Sequence, residues 1–359
     1  MTSKHANSFD ALRLFGALCV FWSHQVGIAG FSEPNIPLLN TSAGGLGVAL
    51  FFAISGYLVT LSLLNRGSVS SFLWSRFLRI YPGLIVCLLA TLLAGAAVTT
   101  LPVSNYFSRS ETWGFVWRNL FSLFVDRLFT LPGVLEDSRW PAVNGSIWTI
   151  PYETAAYLLL AALFAIGSTA SFKWRVTAAA LLAFGLYLFV YTVVPWPENK
   201  AMWFARAEPH FSVRFAVPFF TGAAVAVLSA QRFVIYAACL MAVLAAFAAN
   251  DALYEALAWS ITALLVVWVG KSRFLAWYPT SRIGDLSYGI YLYSYPVQNY
   301  AVTKFFVGSN FATVTVFSLT IIFALAVVSW RLIERPALRL RERGFPPVRA
   351  PASRSPEAH

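Results

Sequence analysis

Residues 9–30 read FDALRLFGALCVFWSHQVGIAG, and this stretch decides the fold class. It is long and apolar enough to cross a bilayer, because a spanning helix needs about 20 mostly apolar residues. Three ionisable side chains interrupt it: Asp10, Arg13 and His24. The apolar region of a cleaved secretory signal carries no such interruptions. The stretch is therefore predicted to be a retained first membrane helix.

Similar apolar stretches recur along the 359 residues, of which 58% are hydrophobic and 11% charged. Globular proteins carry roughly 25% charged residues, so this composition excludes disorder, a fibrous repeat and an ordinary soluble enzyme. An all-α polytopic integral membrane protein with about ten transmembrane helices is predicted. The predicted spans are residues 9–30, 43–64, 81–101, 147–167, 176–195, 211–230, 233–249, 252–270, 283–303 and 311–333.

Basic residues are distributed unevenly over the predicted connections. If the N-terminus is cytoplasmic, 17 of the 26 Lys and Arg residues fall on inner segments and 7 on outer segments. Membrane proteins concentrate Lys and Arg on cytoplasmic loops. Both termini are therefore predicted to be cytoplasmic, and the formal net charge of +11 does not indicate a nucleic-acid partner. We expect a transmembrane domain over residues 1–335 and a disordered, polar cytoplasmic tail over residues 336–359.

The longest connection, residues 102–146, is then external and rich in Trp and Phe. Two interpretations stay open for it. The aromatic side chains could anchor the loop at the membrane interface, or they could form a lid that stacks on sugar rings.

The cysteines and histidines show no ligand pattern. Cys19, Cys87 and Cys239 lie singly within apolar stretches, and the four histidines are scattered. Neither a disulfide framework nor a metal site is predicted.

The first helix carries a line of ionisable side chains, which are costly in a membrane and therefore functional candidates. At 100° per residue, Asp10, Arg13 and His24 share one face, and the rise from Arg13 to His24 is about 16 Å. Arg13 is expected near the cytoplasmic end and His24 in the outer half. A local ion pair would also explain Asp10 and Arg13, and a bond to a backbone carbonyl would also explain a buried His24.

Glu153 is a second intramembrane candidate. Because the fourth predicted span runs inwards, Glu153 lies at about the depth of His24. A carboxylate beside an imidazole orients the ring and raises its basicity, so the two are predicted to act together. The alternative is an isolated, protonated Glu153.

Arg76 and Arg79 lie on the predicted inner loop before the third span. Their i,i+3 spacing places both on one helical face, where two guanidinium groups can clamp a phosphate. Ordinary positive-inside charge or contact with lipid headgroups is the alternative.

Residues 284–296, GDLSYGIYLYSYP, form another polar cluster. Asp285 could cap the ninth helix. Tyr288, Tyr291 and Tyr295 share one helical face, which packing alone would also explain.

Together these residues resemble the membrane acyltransferase 3 family. Five features of the chain follow the family order along some 330 residues: Arg13 with His24 after ten intervening residues, FFAISGYL at 51–58, Arg-x-x-Arg at Arg76 and Arg79, Trp-Thr-x-x-x-Glu at 148–153, and Gly-Asp-x-Ser-Tyr at 284–288. The Glu-Arg-Pro ending at 334–336 is also similar. One position departs from the pattern: Ser294 stands where members often have His, so no role of that His carries over.

The resemblance implies an enzyme that transfers an acyl group, usually acetyl from acetyl-CoA, to a hydroxyl group. The acceptor would be an extracytoplasmic polysaccharide, oligosaccharide or glycolipid. Acyl-CoA, the acceptor and membrane lipid are the implied partners, with no permanently bound cofactor and no metal, and the implied location is the cell inner membrane. The rival functions are a glycolipid or polysaccharide transporter or flippase without acyl-CoA chemistry, and a structural membrane subunit.

The resemblance also suggests roles for particular residues. Arg13, Arg76 and Arg79 would bind the phosphates of acyl-CoA. His24 would either accept the acyl group covalently or act as general base, with help from Glu153. The supporting residues would be Asp10, Ser55 as an oxyanion donor, Trp148, Asp285, Ser287 and Tyr288.

Overall fold

The computed structural model describes residues 8–136, 138–196, 208–228, 233–272, 275, 284–308 and 310–344. Within these residues the regular structure is helical, without strands longer than isolated bridges. The prediction of an all-α protein is therefore confirmed for this part of the chain. The α-helices are α1 Phe9–Ile28, α2 Ala43–Arg66, α3 Val69–Val98, α4 Val103–Ser108, α5 Ser110–Leu120, α6 Ile150–Ala165, α7 Thr169–Val193, α8 Pro209–Leu228, α9 Val234–Ala246, α10 Asp251–Lys271, α11 Ser287–Tyr300, α12 Phe311–Ser329 and α13 Arg335–Gly344.

Eight helical segments in the described residues are long and apolar enough to cross a membrane. They are α1, α2, α3, α6 with its preceding 3-10 turn Ser146–Thr149, α7, α8, α10, and the continuous segment Phe311–Arg341. The multi-pass character follows from these segments, but the count of ten is not confirmed. The predicted span 233–249 forms only the 13 residues of α9, about 20 Å of helix against a hydrocarbon core of about 30 Å. The span 283–303 forms the 14-residue α11 and a following π turn, Ala301–Phe305.

The centre of the bundle is α2, which packs against α1, α3, α6, α8 and α10. Two glycines let α2 and α8 approach closely. A Cβ atom at Gly56 would overlap the backbone carbonyl of Phe219, and one at Gly222 would overlap that of Ala53. Small residues at such crossings are typical of membrane helices, whose association depends on close van der Waals packing.

The helix α3 is longer than predicted and changes the setting of two candidate residues. It begins at Val69, with the Ser68 side chain accepting from the Ser71 N–H, and it continues through Pro82 to Val98. The prediction that Arg76 and Arg79 lie on a loop is therefore wrong: both lie within this 30-residue helix. A hydropathy count did not detect the start of this helix, because its first turns contain polar residues. The predicted common face of the two arginines follows directly from helical geometry.

The last helix also continues further than predicted. A π turn, Trp330–Glu334, joins α12 to α13, so residues 335–344 are helical rather than part of a disordered tail. The π turn precedes Pro336, which has no N–H to donate to the preceding turn, and this local change in winding accommodates the proline. The rest of the predicted tail, residues 345–359, lies outside the described residues.

The long connection between α3 and α6 contains α4 and α5. Phe115 of α5 is fully buried, while Trp113 and Trp117 on its other face are about half exposed. This arrangement is compatible with both interpretations of the aromatic loop, as an interfacial anchor and as a lid.

Candidate functional site

Two cavities lie along α1 and share no lining residue. The first, here called the arginine cavity, lies between α1, α2, α3, α6 and α11. The second, the histidine cavity, lies between α1, α11 and the connection that precedes α6. Polar residues of the arginine cavity are Arg13, Ser55, Arg76, Arg79, Thr149, Glu153, Tyr157, Ser287, Tyr288 and Tyr291. The histidine cavity is lined by Ser23, His24, Gly27, Ile28, Phe129, Trp140, Ala142, Gly145, Trp148 and Tyr295.

Asp285 is the centre of an ion-pair network at the arginine cavity. Its Oδ2 lies 2.6 Å from Nη2 of Arg79 and 3.6 Å from Nη1 of Arg13. Its Oδ1 accepts hydrogen bonds from the hydroxyl (2.5 Å) and the backbone N–H (3.2 Å) of Ser287. Burial alone would raise the pKa of Asp285, but the two guanidinium groups and the bonds from Ser287 outweigh it and hold the pKa at about 2. Asp285 therefore does more than cap α11: it fixes two arginines from distant helices.

Both of these arginines have a second carboxylate partner. Nη1 of Arg13 lies 3.4 Å from Oδ1 of Asp10, which bears out the local ion pair considered for the first helix. Nη1 of Arg79 lies 3.7 Å from Oε2 of Glu334, whose side chain is only 3% exposed. The charges of Arg13 and Arg79 are thus balanced within the protein.

Arg76 differs from the other two arginines. Among the described residues it has no carboxylate partner: its Nε donates to Oγ of Ser75 at 3.2 Å, and its guanidinium lies 5.9 Å from the ring centroids of Phe72 and Tyr157. A cation that lines a cavity without an acidic partner is suited to bind an anionic ligand.

Glu153 lies in the arginine cavity and accepts a hydrogen bond from the hydroxyl of Tyr157. The Tyr157 oxygen is also 3.3 Å from Oγ of Ser55. In the described part of the chain there is no hydrogen bond or ion pair between Glu153 and His24, and the two line different cavities. The predicted side-by-side pair is therefore not formed in this structure. Equal depth along two helices did not bring the two side chains into one cavity.

His24 lies in the histidine cavity against an aromatic wall. Its ring meets that of Tyr295 edge to face at 5.0 Å, and Trp140 and Trp148 line the same space. Nδ1 of His24 is buried and has no hydrogen-bond partner within the described residues. A bond from Nδ1 to a backbone carbonyl, considered as the structural explanation of this histidine, is therefore not observed.

Ser146, Thr149 and Tyr291 form a hydrogen-bonded group that is here called the partition, because Gly145 and Trp148, next to it along the chain, line the other cavity. The hydroxyl of Tyr291 donates to the carbonyl of Ser146 at 2.5 Å and lies 2.5 Å from the Thr149 hydroxyl. Thr149 and Tyr291 line the arginine cavity, whereas the neighbouring Trp148 lines the histidine cavity. The Trp-Thr-x-x-x-Glu segment therefore contributes to both cavities.

The other two tyrosines predicted to share a face of α11, Tyr288 and Tyr295, also line the cavities. Tyr288 lines the arginine cavity and donates to the carbonyl of Ile80 at 2.7 Å, and Tyr295 lines the histidine cavity. Ser294 lines neither cavity: it is fully buried, and its hydroxyl donates to the carbonyl of Ile290.

Sequence reasoning missed the roles of Tyr157 and Glu334. Tyr157 follows Glu153 by four residues, so i,i+4 spacing on a helix was an available signal. Glu334 was noted only as part of the Glu-Arg-Pro ending. Its pairing with Arg79, 255 positions away, becomes visible only in the folded chain.

Comparisons with known proteins agree with these motifs. A protein-family model described as an acyltransferase domain matches residues 6–331. An "O-acetyl transferase" of Shigella phage Sf6 is 26% identical over 338 residues, which cover 92% of this chain and 95% of that protein. "Nodulation protein 10" of Rhizobium leguminosarum bv. viciae is 28% identical over an alignment of 382 positions, gaps included, which covers 95% of each chain. "Acyltransferase MdmB" of Streptomyces mycarofaciens is 30% identical over 154 residues, 42% of this chain and 37% of that protein.

Proposed function

The chain belongs to the membrane acyltransferase 3 family, and we propose that it transfers an acyl group, acetyl by default, from cytoplasmic acyl-CoA to a hydroxyl of an extracytoplasmic carbohydrate or glycolipid. That it is an acyltransferase follows from the family and from the similar O-acetyl transferase. The donor, the acceptor class and a location in the cell inner membrane are the proposed parts.

The observation that carries the donor assignment is Arg76, which lines the arginine cavity and has no acidic partner in the described part of the chain. Coenzyme A carries several phosphate groups, and guanidinium groups bind phosphate through strong, charge-assisted hydrogen bonds. Arg13 and Arg79 lie in the same cavity, where they add positive charge but are tied to Asp285. We therefore expect Arg76 to make the direct phosphate contact and Arg79 to shape the site.

The length of α3 supports a donor site near one membrane surface. Thirty residues of helix extend about 45 Å, some 15 Å more than the hydrocarbon core. Arg76 lies within the first third of this helix, so it can sit at the level of the headgroups, where a water-soluble anion has access. The excess of Lys and Arg on the same side supports the proposal that this surface is the cytoplasmic one.

The histidine cavity is the proposed acceptor side. Its aromatic side chains suit the apolar faces of sugar rings, and His24 presents an imidazole whose Nδ1 has no hydrogen-bond partner among the residues that the structure describes. As general base, His24 would take the hydroxyl proton while the hydroxyl oxygen attacks the thioester carbonyl, and the carbon–sulfur bond would break to release coenzyme A. In the covalent alternative, the acyl group would pass first to the His24 ring and then to the acceptor.

The position of Glu153 favours a role on the donor side of the partition. With Tyr157 and Ser55 it forms a hydrogen-bonded group in the arginine cavity. We propose that this group positions the acyl-carrying arm of the donor, and that Ser55 is available to stabilise the oxyanion.

Donor binding can be tested by the melting temperature of the purified protein with and without acetyl-CoA, because a ligand that binds only the folded state stabilises it. We expect acetyl-CoA to raise the melting temperature and Arg76→Ala to abolish most of this rise. Arg331→Ala, at an exposed position of the last helix, is the matched control and should retain it. The absence of any stabilisation of the wild type by millimolar acetyl-CoA would contradict the donor assignment.

Transfer itself is tested in membranes supplied with labelled acetyl-CoA and scored by mass spectrometry of surface glycans. His24→Ala and Glu153→Ala should lose the acyl increment at matched expression. Normal glycan acetylation in either variant would remove that residue from the mechanism. Recovery of label on His24 in the absence of acceptor would distinguish the covalent route from general-base catalysis.

A further inference from the structure

The C-terminal helix α13 packs against α3. Glu334, Ala337 and Arg341 follow i, i+3, i+7 spacing and therefore share one face. Glu334 is paired with Arg79, and Ala337 is buried, so this face is turned towards α3. Arg339, two residues before Arg341, is on the exposed side.

Arg341 is thereby brought to the neighbourhood of Arg76. Its charge is one of those that act on the Arg76 guanidinium, together with the charges of Arg79 and Arg13. Arg341 is half-buried, and its Nε is a buried atom without a hydrogen-bond partner among the described residues. Two guanidinium groups held near each other repel, and buried donors in native proteins normally have partners.

We propose that Arg341 and Arg76 together form a two-arginine phosphate site beside the arginine cavity, and that its phosphate belongs to the acyl-CoA donor. This inference rests on the proposed function for the identity of the ligand. The phosphate would supply both missing interactions: a counter-charge for Arg76 and an acceptor for Nε of Arg341. Since the family match ends at residue 331, Arg341 is a feature of this chain beyond the matched region.

A lipid headgroup offers the same phosphate chemistry, but the pairing with Arg76 favours the donor. Arg76 lines an internal cavity between five helices rather than the outer surface of the bundle. A polyphosphate ligand whose acyl end enters this cavity would place its phosphates between the two arginines. A lipid phosphate would contact Arg341 without depending on Arg76.

The test measures coenzyme A affinity of the full chain in nanodiscs of neutral phosphatidylcholine. Arg341→Met keeps the apolar stem of the side chain and removes the charge. We expect it to weaken binding about tenfold or more, since hydrogen bonds to charged groups are individually strong. Arg341→Lys should bind with intermediate affinity because it keeps the charge but loses the planar fork. Arg339→Met, the matched control, should bind as the wild type.

Salt dependence provides a readout that a purely structural role would not change. The affinity of the wild type should fall more steeply with NaCl concentration than that of Arg341→Met, because one screened ionic contact is missing in the variant. Wild-type affinity and salt dependence in Arg341→Met would overturn the inference while leaving the proposed function intact. No coenzyme A binding by the wild type would overturn both.

A second arm separates the two sources of phosphate. Nanodiscs containing anionic phosphatidylglycerol should stabilise the wild type and Arg341→Met equally if the partner is the donor. If Arg341→Met loses stabilisation by the anionic lipid but binds coenzyme A normally, Arg341 binds lipid and the donor assignment is wrong.

Discussion

Asp285 illustrates how one carboxylate can organise a site. It precedes α11, outside the eight long spans, and bridges Arg79 of α3 to Arg13 of α1. Its side chain is 13% exposed, so the pair is largely shielded from water. Removing one partner of a buried ion pair leaves an uncompensated charge and typically costs about 3–5 kcal/mol.

We therefore predict that Asp285→Ala lowers the free energy of unfolding by about 3 kcal/mol. Asp10→Ala should cost less than about 1 kcal/mol, because the Asp10 side chain is 33% exposed and i,i+3 pairs on a helix contribute little. Denaturation in mixed micelles, followed by circular dichroism, measures both. Equal losses in the two variants would contradict a central role for Asp285.

The pH dependence of stability follows from the ion pairs of Asp285 with Arg79 and Arg13. The pKa of Asp285 is lowered to about 2 by its partners, so its stabilising effect is present at neutral pH and is lost only as the pH falls towards 2. The part of the stability difference between wild type and Asp285→Ala that comes from ionisation of Asp285 should therefore be lost as the pH falls from about 4 towards 2, as measured by denaturation at each pH.

Single residues also show which features of the site can be predicted from sequence and which cannot. The common face of Arg13 and His24 follows from helical geometry alone, and each residue does line a cavity along α1. The pairing of Glu153 with His24 was inferred from equal depth, which says nothing about lateral position. Tyr291 and Thr149 belong to the partition, and their contact forms only when the chain folds.

At the scale of elements, the crossing of α2 and α8 depends on Gly56. We predict that Gly56→Ala destabilises the protein by about 2–3 kcal/mol, because the added methyl group overlaps the Phe219 carbonyl and forces the helices apart. Gly185→Ala in α7 is the matched control: its Cβ would meet no atom within 4 Å. Since Ala is a better helix former than Gly, that variant should be neutral or slightly more stable. Melting temperatures measure both, and a neutral Gly56→Ala would contradict the close crossing.

Helix existence was predicted more accurately than helix length. Apolar runs mark the spans because the hydrocarbon core demands them. The extensions of α3 and of the last helix are polar, and Pro82 and Pro336 suggest interruptions. The structure continues both helices through these prolines. Packing of α13 against α3 stabilises helical turns that the local sequence alone would not maintain.

At the scale of the whole molecule, the contacts between connections define two ends of the bundle. At one end, the N–H of Ser8 donates to the carbonyl of Gly270 at 2.9 Å, joining the start of α1 to the end of α10. At the other end, the side chain of Asn40 donates to Glu255 at 2.5 Å. The arginine cavity includes Arg13, which is four residues into α1, whereas His24 lies four residues before the end of α1. Under the proposed function, a donor in the arginine cavity and an acceptor in the histidine cavity would approach the partition from opposite membrane surfaces.

The placement of the two cavities at opposite ends of α1 leads to a prediction of how the protein is oriented in the membrane. Ser70 is exposed in the first turn of α3, and Ser110 is exposed beyond the opposite end of that helix. After replacement of Cys19, Cys87 and Cys239 by Ser, single Ser70→Cys and Ser110→Cys variants can be treated with a membrane-impermeant maleimide. Because the Ser70 side carries the excess of basic residues, Ser110→Cys should be labelled in intact cells, and Ser70→Cys only after permeabilisation. The reverse pattern would place Arg76 outside the cell, where cytoplasmic acyl-CoA cannot reach it, and would contradict both the orientation and the donor assignment.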